Sequence, residues 1–392
     1  MTDRPTDEAG IAAAVMDACA AREPLLVHGG RTKPGMLRPV QAARSLDVSG
    51  CVGITLYSSS ELVLSARAGT PLAEIEATLA QAGQHLIAEP PDYSGILALE
   101  GARGAQTVGG IVATNLSGPR RIAGGAMRDH VLGVRAVNGA GTVIKSGGRV
   151  LKNVTGLDVC KLLAGSHGTL AVMTEITLKV LPKPEGSASV VLLGLDAARG
   201  VAALSAALGS PYGVTGAAFL PAELSGGDTS LTVVRIESFA DSVAYRSEAV
   251  RQAMASFGGA DILPEAASTE VWASIRDARM LRPDDGDAIW RVSVRPSRGP
   301  VVLDAIQRAG GTGFLDWGGG LVLAMGKPSE ALQTAIQNAG GVWTVLRGPA
   351  PWRAATHVVP PEPPPLAALS RRLKAAFDPA GILMPGRIYP GL

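Results

Sequence analysis

A short loop, His28-Gly-Gly-Arg-Thr-Lys33, combines two adjacent glycines with two cationic side chains. Successive backbone N–H groups that no bulky side chain covers form a nest that binds anions. The loop therefore suits a diphosphate, although a Gly-Gly pair after a strand is more often a simple turn. It is neither a P-loop nor a GxGxxG motif. The candidate ligands are Gly29, Gly30, Arg31, Thr32 and Lys33.

A second segment, residues 107–121, is a run of small residues interrupted by hydroxyl groups. Such a segment lets a planar ligand touch the backbone, and Ser and Thr hydroxyls can bond sugar or phosphate oxygens. The alternative is a glycine-rich crossover that needs only close packing. The candidate ligands are Thr107, Val108, Gly109, Gly110, Thr114, Ser117, Gly118 and Arg121, with Arg128 as a further source of positive charge.

A third segment runs from Lys152 to Leu170 and ends directly in an alternating strand, residues 172–180. Gly165 and Gly168, with Thr169 beside them, would let this turn close over an adenine or a ribose. Each of the three segments alone could be structural. Because they follow one another in one region, we expect them to share a ligand.

The elements that position these segments read as a small mixed α and β unit. A helix is predicted over 7–22 and a second over 69–82, with strands at 24–27, 45–48, 52–57 and 62–66. Further strands are expected at 131–138, 142–146 and 170–181. The stretch Leu181-Pro-Lys-Pro-Glu-Gly-Ser187 combines prolines, charge and small residues, which is typical of a domain boundary.

The remainder alternates strands with helices and predicts an antiparallel sheet covered by helices on one face. Strands are expected at 190–193, 231–236, 290–294 and 321–324. Helices are expected near 196–208, 241–257, 330–339 and 366–377. The predicted fold class is therefore α+β, with a first domain over residues 1–182 and a second over 183–392.

Composition excludes several classes of function. The net charge is +2 and 18% of residues are charged, so no global field attracts nucleic acid or an anionic membrane. The three cysteines, Cys19, Cys51 and Cys160, are scattered, which argues against a disulfide framework, a zinc site and an iron–sulfur site. An acidic, polar N-terminus and the lack of a long apolar run predict a cytoplasmic protein without direct membrane insertion.

The sequence resembles the FAD-binding oxidoreductases of the vanillyl-alcohol oxidase type and, among them, the E subunits of bacterial glycolate oxidases. The resemblance extends over nearly the whole chain. The matching pieces are Val27–Lys33, Leu46–Gly50, Ala68–Leu72, Glu89–Pro91, Thr107–Gly110, Ser117–Arg121, Arg128–Asp129, Lys152–Val154, Gly165–Leu170 and Pro385–Arg387. The sequence departs from the pattern at Leu157, His167 and Met384, where Tyr, an apolar residue and Asn would be expected.

The resemblance implies a flavin domain of the PCMH type, with two α+β subdomains and FAD between them, followed by a C-terminal cap domain. Residues 29–33 would then cradle the pyrophosphate, and Thr107–Gly110 with Thr114, Ser117 and Gly118 would line the flavin and ribityl. Glu175 and Ile176 would meet the adenine side. The glycine loops lack the His or Cys that covalent attachment uses, so we expect non-covalent FAD.

The catalytic residues are the least defined part of the sequence. Related catalytic subunits use a metal-binding histidine cluster, but none of the five histidines here pairs with another at ligand spacing, so no metal is expected. Arg291 and Arg295 on a strand over 290–295 could hold a carboxylate, although an exposed sheet face is the commoner explanation. Asp316 and Tyr389 complete the candidates.

Three hypotheses follow from these observations. The first is a FAD-binding subunit of a glycolate oxidase complex that oxidises glycolate or D-lactate together with a larger flavoprotein subunit and an iron–sulfur subunit. The second is a free-standing FAD-dependent hydroxy-acid or alcohol dehydrogenase. The third is a non-catalytic assembly subunit that binds FAD. Under the first hypothesis, contact with the inner membrane would occur only through the partners.

Overall fold

The computed structural model describes residues 2–97, 104–149 and 156–392. The predicted motif at Lys152–Val154 therefore lies outside the described residues. The elements before residue 183 are β1 (Thr2–Asp3), α1 (Glu8–Ala21), β2 (Leu25–His28), β3 (Arg44–Asp47), β4 (Ile54–Ser58), β5 (Val63–Arg67), α2 (Leu72–Gln81), β6 (Gln84–His85), α3 (Ser94–Leu97), α4 (Val108–Thr114), α5 (Arg121–Gly124), β7 (Val131–Asn138), β8 (Val143–Gly147), α6 (Val159–Leu163), β9 (Ala171–Lys179) and β10 (Leu181–Pro182).

The elements of the first part form three sheets. One is a parallel sheet in the order β1-β3-β2, which α1 covers. The second is an antiparallel sheet in the order β4-β5-β9-β7-β8, and the third pairs β6 with β10. α1 begins where the side chain of Asp7 accepts a hydrogen bond from the backbone N–H of Gly10 at 2.8 Å. The predicted helices and strands of this part are confirmed within a few residues.

The elements after residue 183 are β11 (Gly186–Leu193), α7 (Ala197–Leu208), β12 (Val214–Leu220), α8 (Ala222–Ser225), β13 (Leu231–Ser238), α9 (Ala240–Ala253), β14 (Ala260–Leu263), α10 (Glu265–Asp277), β15 (Ala288–Ser293), α11 (Gly299–Arg308), β16 (Thr312–Asp316), β17 (Leu321–Gly326), α12 (Glu330–Asn338), β18 (Val342–Arg347), α13 (Ala350–Ala355) and α14 (Pro364–Phe377). Their strands form one antiparallel sheet of eight, in the order β14-β11-β13-β12-β16-β17-β15-β18. The predicted antiparallel sheet is confirmed. The division into domains at residue 182 is kept as our proposal, supported by the change of sheet at that point.

The C-terminal tail returns to the first sheet, which no sequence pattern had indicated. The backbone N–H of Leu25 donates to the carbonyl of Ile382 at 2.7 Å, and Met384 N–H donates back to Leu25 at 3.0 Å. Buried Lys374 fixes the turn before the tail, because its Nζ donates to Thr169, Leu383 and Asp378 at 2.7–2.8 Å. The tail therefore belongs structurally to the first part of the chain. Within the described residues, no helix combines the length and apolar character needed to cross a membrane.

A buried ring of four charges joins the two parts, and we call Glu89, Arg120, Arg235 and Glu237 the ionic ring. Arg235 donates both terminal nitrogens to Glu89 at 2.8 and 2.9 Å, and Arg120 donates to Glu237 at 2.6 and 2.9 Å. Arg235 Nε also lies 3.2 Å from Glu237. Burial raises the pKa of Glu237, but the bonds from Arg120 and the charge of Arg235 outweigh burial and lower that pKa to about 2.

Replacement of Glu237 by Gln should make the stability of the protein less dependent on acid pH. A carboxyl whose folded pKa is lowered contributes stability above its unfolded pKa and loses that stability as the pH falls through the folded pKa. The contribution of Glu237 should thus be complete above about pH 4.5 and lost toward about pH 2. At neutral pH, E237Q should cost about 3 kcal/mol in urea unfolding. E270Q, at an exposed ion pair, is the control and should cost under about 1 kcal/mol. An equal loss in both variants at every pH would contradict the ring's role.

Candidate cofactor cavity and cluster between the two parts

One cavity of about 370 Å³ brings the three glycine-rich segments together. Gly29, Gly30, Arg31, Thr32 and Lys33 form one side of it, and Thr107, Gly110 and Thr114 contribute from the start and end of α4. His167 enters from the third segment and Arg387 from the C-terminal tail. Eight of the predicted cofactor residues thus line one space.

The walls of this cavity depend on glycines that allow backbones to touch. A Cβ on Gly30 would lie 1.8 Å from the carbonyl oxygen of Ala105, and one on Gly104 would lie 2.0 Å from the carbonyl of Gly30. A Cβ on Gly29 would lie 2.7 Å from Oγ1 of Thr107. Thr107 in turn caps α4, because its hydroxyl accepts from the N–H of Gly110 at 3.2 Å. The two loops therefore hold each other in place.

Two half-buried cations in the cavity have donors that could form further hydrogen bonds. Lys33 Nζ donates to Thr32 and Gln106 at 3.0 Å, no carboxylate of the described residues lies within 4.0 Å, and burial lowers its pKa to about 8. Arg387 donates to the carbonyl of Arg38 at 2.8 Å, while its buried Nε has no partner there. Burial and nearby Arg353 lower the pKa of Arg387 to about 10. A buried cation is costly unless an anion pairs with it, so this cavity fits an anionic group such as a diphosphate.

The departures from the family pattern at His167 and Met384 have local explanations. His167 has a positive φ of 54°, lines the cavity, and has its pKa lowered to about 3 by burial and by Arg387. Its imidazole is therefore neutral at ordinary pH. Met384 also has a positive φ, of 47°, and its Sδ accepts the N–H of Val27 at 3.0 Å, where an amide oxygen would serve equally.

Ten predicted cofactor residues lie outside the described lining of this cavity. Ile176 is fully buried in β9, and the Cα position of Glu175 pairs with Arg67 and Arg135 across the sheet. Ser117 bonds Asn115 and Met127 with its hydroxyl. The full set is Val108, Gly109, Ser117, Gly118, Arg121, Gly165, Gly168, Thr169, Glu175 and Ile176, and their contact with a cofactor stays a prediction. The sequence includes Arg387 in the matching Pro385–Arg387 piece and in a tail that could face the flavin, but it does not indicate that this side chain lies beside Gly29–Lys33.

The four catalytic candidates separate in the structure. The prediction of one strand over 290–295 is wrong at its end, because β15 ends at Ser293. Arg295 lies beyond the strand, is exposed, and directly precedes a 3₁₀ turn over Pro296–Arg298. Arg291 and Arg295 therefore do not share a sheet face. Tyr389 lies in the tail, where burial and Glu362 raise its pKa to about 12. Arg291 and Asp316 remain at the junction of the two parts.

Trp317 is the centre of that junction. Its indole packs between the guanidinium of Arg121, 4.6 Å from the ring centroid, and that of Arg291, 5.1 Å away. Its Nε1 donates to the carbonyl of Gly118 at 3.1 Å. Asp316 precedes it and Tyr93 is buried nearby, and we call Tyr93, Arg121, Arg291, Asp316 and Trp317 the Trp317 cluster.

The carboxyl of Asp316 has an unusual environment. It is buried, Oδ1 accepts the N–H of Trp317 at 2.6 Å, and no cation of the described residues lies within 4.0 Å. Burial raises its pKa to about 7. This carboxyl can therefore gain or lose a proton near neutral pH. Among the residues that the structure describes, no three His, Cys, Asp or Glu side chains come together as metal ligands.

Comparison with known proteins gives the family. Residues 1–147 match the family described as FAD binding domain. The chain is 34% identical to the glycolate oxidase subunit GlcE of Escherichia coli, over 96% of each protein. The chain belongs to the GlcE family of FAD-binding proteins.

Two further comparisons extend this result. GlcE-family membership agrees with a match of 37% identity to the glycolate oxidase subunit GlcD of Bacillus subtilis, which covers 28% of this chain and 22% of that protein. A solved structure of alkyldihydroxyacetonephosphate synthase superposes with a TM-score of 0.69 over 98% of this chain and 76% of the other, at 17% identity. That likeness concerns the fold alone. The predicted fold class and the predicted cofactor, FAD, are confirmed.

Gly30→Ala should abolish retention of FAD by this GlcE-family chain. The added methyl would overlap the carbonyl of Ala105, so the first loop would have to move away from residues 104–107. Flavin absorbance per mole of purified protein measures the effect. Gly95→Ala is the matched control, since nothing lies within 4 Å of its added Cβ and its φ is not positive. Full flavin content in G30A would show that this loop does not shape the site.

Proposed function

We propose that this chain is the FAD-binding subunit of a glycolate oxidase complex, which oxidises glycolate, or D-lactate, to the 2-oxo acid. A larger flavoprotein subunit and an iron–sulfur subunit would complete the complex. The GlcE relationship over the whole chain supports the proposal, as does the shorter match to a GlcD subunit. The observation that carries the proposal is the convergence of three glycine-rich segments on one cavity with two half-buried cations that lack carboxylate partners among the described residues.

The described residues fit FAD without covalent attachment. The nest at Gly29–Lys33 and the guanidinium of Arg387 would hold the diphosphate, and Thr107, Gly110 and Thr114 would bond the ribityl and flavin. The side chain of His28 is engaged with Ser45 at 2.7 Å and with the backbone of Gly29. When bound, FAD supplies a two-electron acceptor for the carbon that carries the hydroxyl group.

Electrons that reach this flavin need a partner to receive them. Cys51 and Cys160 are buried far apart in the fold, in separate packing clusters, and burial raises the pKa of both thiols. Neutral buried thiols serve poorly as metal ligands or redox groups. This arrangement supports an acceptor on another subunit, and it favours the complex over a free-standing dehydrogenase.

Lys33→Met should weaken FAD binding by about 10- to 100-fold, because one charge-assisted hydrogen bond to phosphate contributes about 1.5–3 kcal/mol. Titration of the deflavinated chain with FAD, followed by flavin fluorescence, measures the affinity. Lys145→Met, which removes an exposed lysine from β8, is the control and should bind FAD normally. Equal affinities in the two variants would remove Lys33 from the diphosphate site.

The purified chain should be yellow, and acid precipitation should release all its FAD into the supernatant. Steady-state reduction of an external one-electron acceptor by glycolate should require coexpressed flavoprotein and iron–sulfur partners, because the iron–sulfur partner would carry electrons from this flavin to the acceptor. The visible spectrum before and after precipitation tests the first statement, and acceptor assays with and without partners test the second. A folded but colourless chain would contradict FAD binding. Full acceptor reduction by the chain alone would instead support a free-standing dehydrogenase.

A further inference from the structure

Arg291 and Arg121 differ from the other arginines at the junction of the two parts, because neither has a carboxylate within 4.0 Å among the described residues. Arg120, Arg235 and Arg276 each form bidentate bonds with a carboxylate. Arg291 is half-buried, within the described residues it has no carboxylate within 4.0 Å and no hydrogen bond, and its guanidinium lies 5.1 Å from the ring centroid of Trp317. Burial lowers its pKa. A half-buried guanidinium without a counter-charge can form charge-assisted hydrogen bonds to a bound anion.

Two groups of different chemistry accompany this cation. Tyr93 is buried, and the charges of Arg291 and Asp316 both act on its phenol. Because burial raises the pKa of Tyr93, the phenol keeps its proton and remains a hydrogen-bond donor. Asp316 offers a carboxyl with no cation beside it. An anion site, a neutral donor and a proton acceptor therefore occur together, which is the set that oxidation of a hydroxy acid requires.

A strained turn of the backbone holds Asp316 and Trp317 in position. Trp317 has a positive φ of 53°, which is costly for a bulky residue, and Gly318 and Gly319 follow with φ of 68° and 101°. The turn persists because Trp317 bonds Asp316 at one end and Gly118 at the other. Gly118 belongs to the segment that we propose lines the flavin. The strain thus aligns Asp316 and the indole with that segment.

We propose that the Trp317 cluster is a substrate site on this chain, where Arg291 and Tyr93 bind the carboxylate of a 2-hydroxy acid and Asp316 accepts its hydroxyl proton. This inference rests on the proposed function. The O–H bond breaks and its proton goes to the Asp316 carboxylate. A bound FAD would supply the two-electron oxidant that takes the hydrogen and its electron pair from the same carbon, so that the C–H bond is lost and the C=O bond of the 2-oxo acid is formed. Asp316 then returns its proton to solvent.

Asp316 is the group of this cluster that titrates near neutral pH. Its charged neighbours Arg235 and Glu89 pair with each other. The pKa of Glu237 is lowered to about 2 and that of His85 to about 4. The flanking strands β12 and β17 carry no charged residue, and Asp304 and Arg308 on the adjoining helix α11 pair with each other. A change in binding between about pH 6 and 8 therefore reports on Asp316.

The test uses oxalate, a two-carbon carboxylate with no hydrogen to lose, and the FAD-loaded full chain. Wild type should bind oxalate about fivefold more weakly at pH 8 than at pH 7, because the uncharged share of Asp316 falls from about half to about a tenth and ionised Asp316 repels the anion. Asp316→Asn should bind tightly at both pH values. Arg291→Gln should bind about 100-fold more weakly at both, with partial recovery in Arg291→Lys. Arg295→Gln, at the exposed turn beyond β15, is the matched control and should behave as wild type. Calorimetry gives the affinities.

Anaerobic mixing with glycolate supplies the second readout. Wild-type flavin should be reduced in a single turnover whose rate rises with pH through about 7, and Asp316→Asn should be about 100-fold slower or more while retaining full flavin. Wild-type rates and pH profile in Asp316→Asn, or wild-type oxalate binding in Arg291→Gln, would overturn the inference. If a yellow wild-type chain neither binds oxalate nor is reduced by glycolate, the substrate site fails while FAD binding stands. A chain without FAD would instead contradict the proposed function.

Discussion

The ionic ring is the interaction on which the relative placement of the two parts depends. Two of its members, Glu89 and Arg120, come from the first part, and Arg235 and Glu237 come from β13 in the second. Buried charges are tolerated only when every partner is present, because desolvation costs several kcal/mol per ion. The four charges of the ring can pair with one another in one relative orientation of the two parts. The ring therefore selects an orientation more than it adds stability.

The relative orientation of the two parts affects both proposed sites, because residues next to the ionic ring also contact Trp317. Gly118 donates its N–H to Ala88, next to Glu89, and a Cβ on Gly118 would lie 2.1 Å from the Glu89 carbonyl. The same Gly118 accepts from Trp317. Arg121 follows Arg120 directly and stacks on that indole. A displacement at the ring would thus separate the flavin-lining segment from the Trp317 cluster, and it would do so without touching either ligand.

Elements that depend on a local sequence pattern were predictable, and contacts between residues far apart in the chain were not. The strands at 131–138 and 231–238 alternate or run apolar, and α1 has its Asp7 cap, so each was predictable. α4 was not, because Gly109 and Gly110 are poor helix formers and the helix depends on its Thr107 cap and on packing against Ala68. The tail's pairing with Leu25 and the contribution of Arg387 to the cavity join residues more than 350 positions apart. No local signal encodes such pairings. The anion nest was predictable because its chemistry resides in one short loop.

The cationic side chains inside this protein differ in whether a carboxylate of the same chain balances their charge. Arg235, Arg120 and Lys374 are buried and each pairs with a carboxylate, so their charges are balanced within the chain. Lys33, Arg291 and Arg387 are half-buried without such a partner in the described residues. Buried Arg353 also has no carboxylate there, but its guanidinium donates to the carbonyls of Gly348 and Leu37, whereas Arg291 has no hydrogen bond and Nε of Arg387 has no partner. Selection for stability alone would have replaced the second group with apolar side chains of similar volume. Their retention is explained if each gains its counter-charge from a bound molecule, with Lys33 and Arg387 facing a diphosphate and Arg291 facing a carboxylate. Asp316 can gain or lose a proton near neutral pH, as a group that accepts the hydroxyl proton of a substrate must.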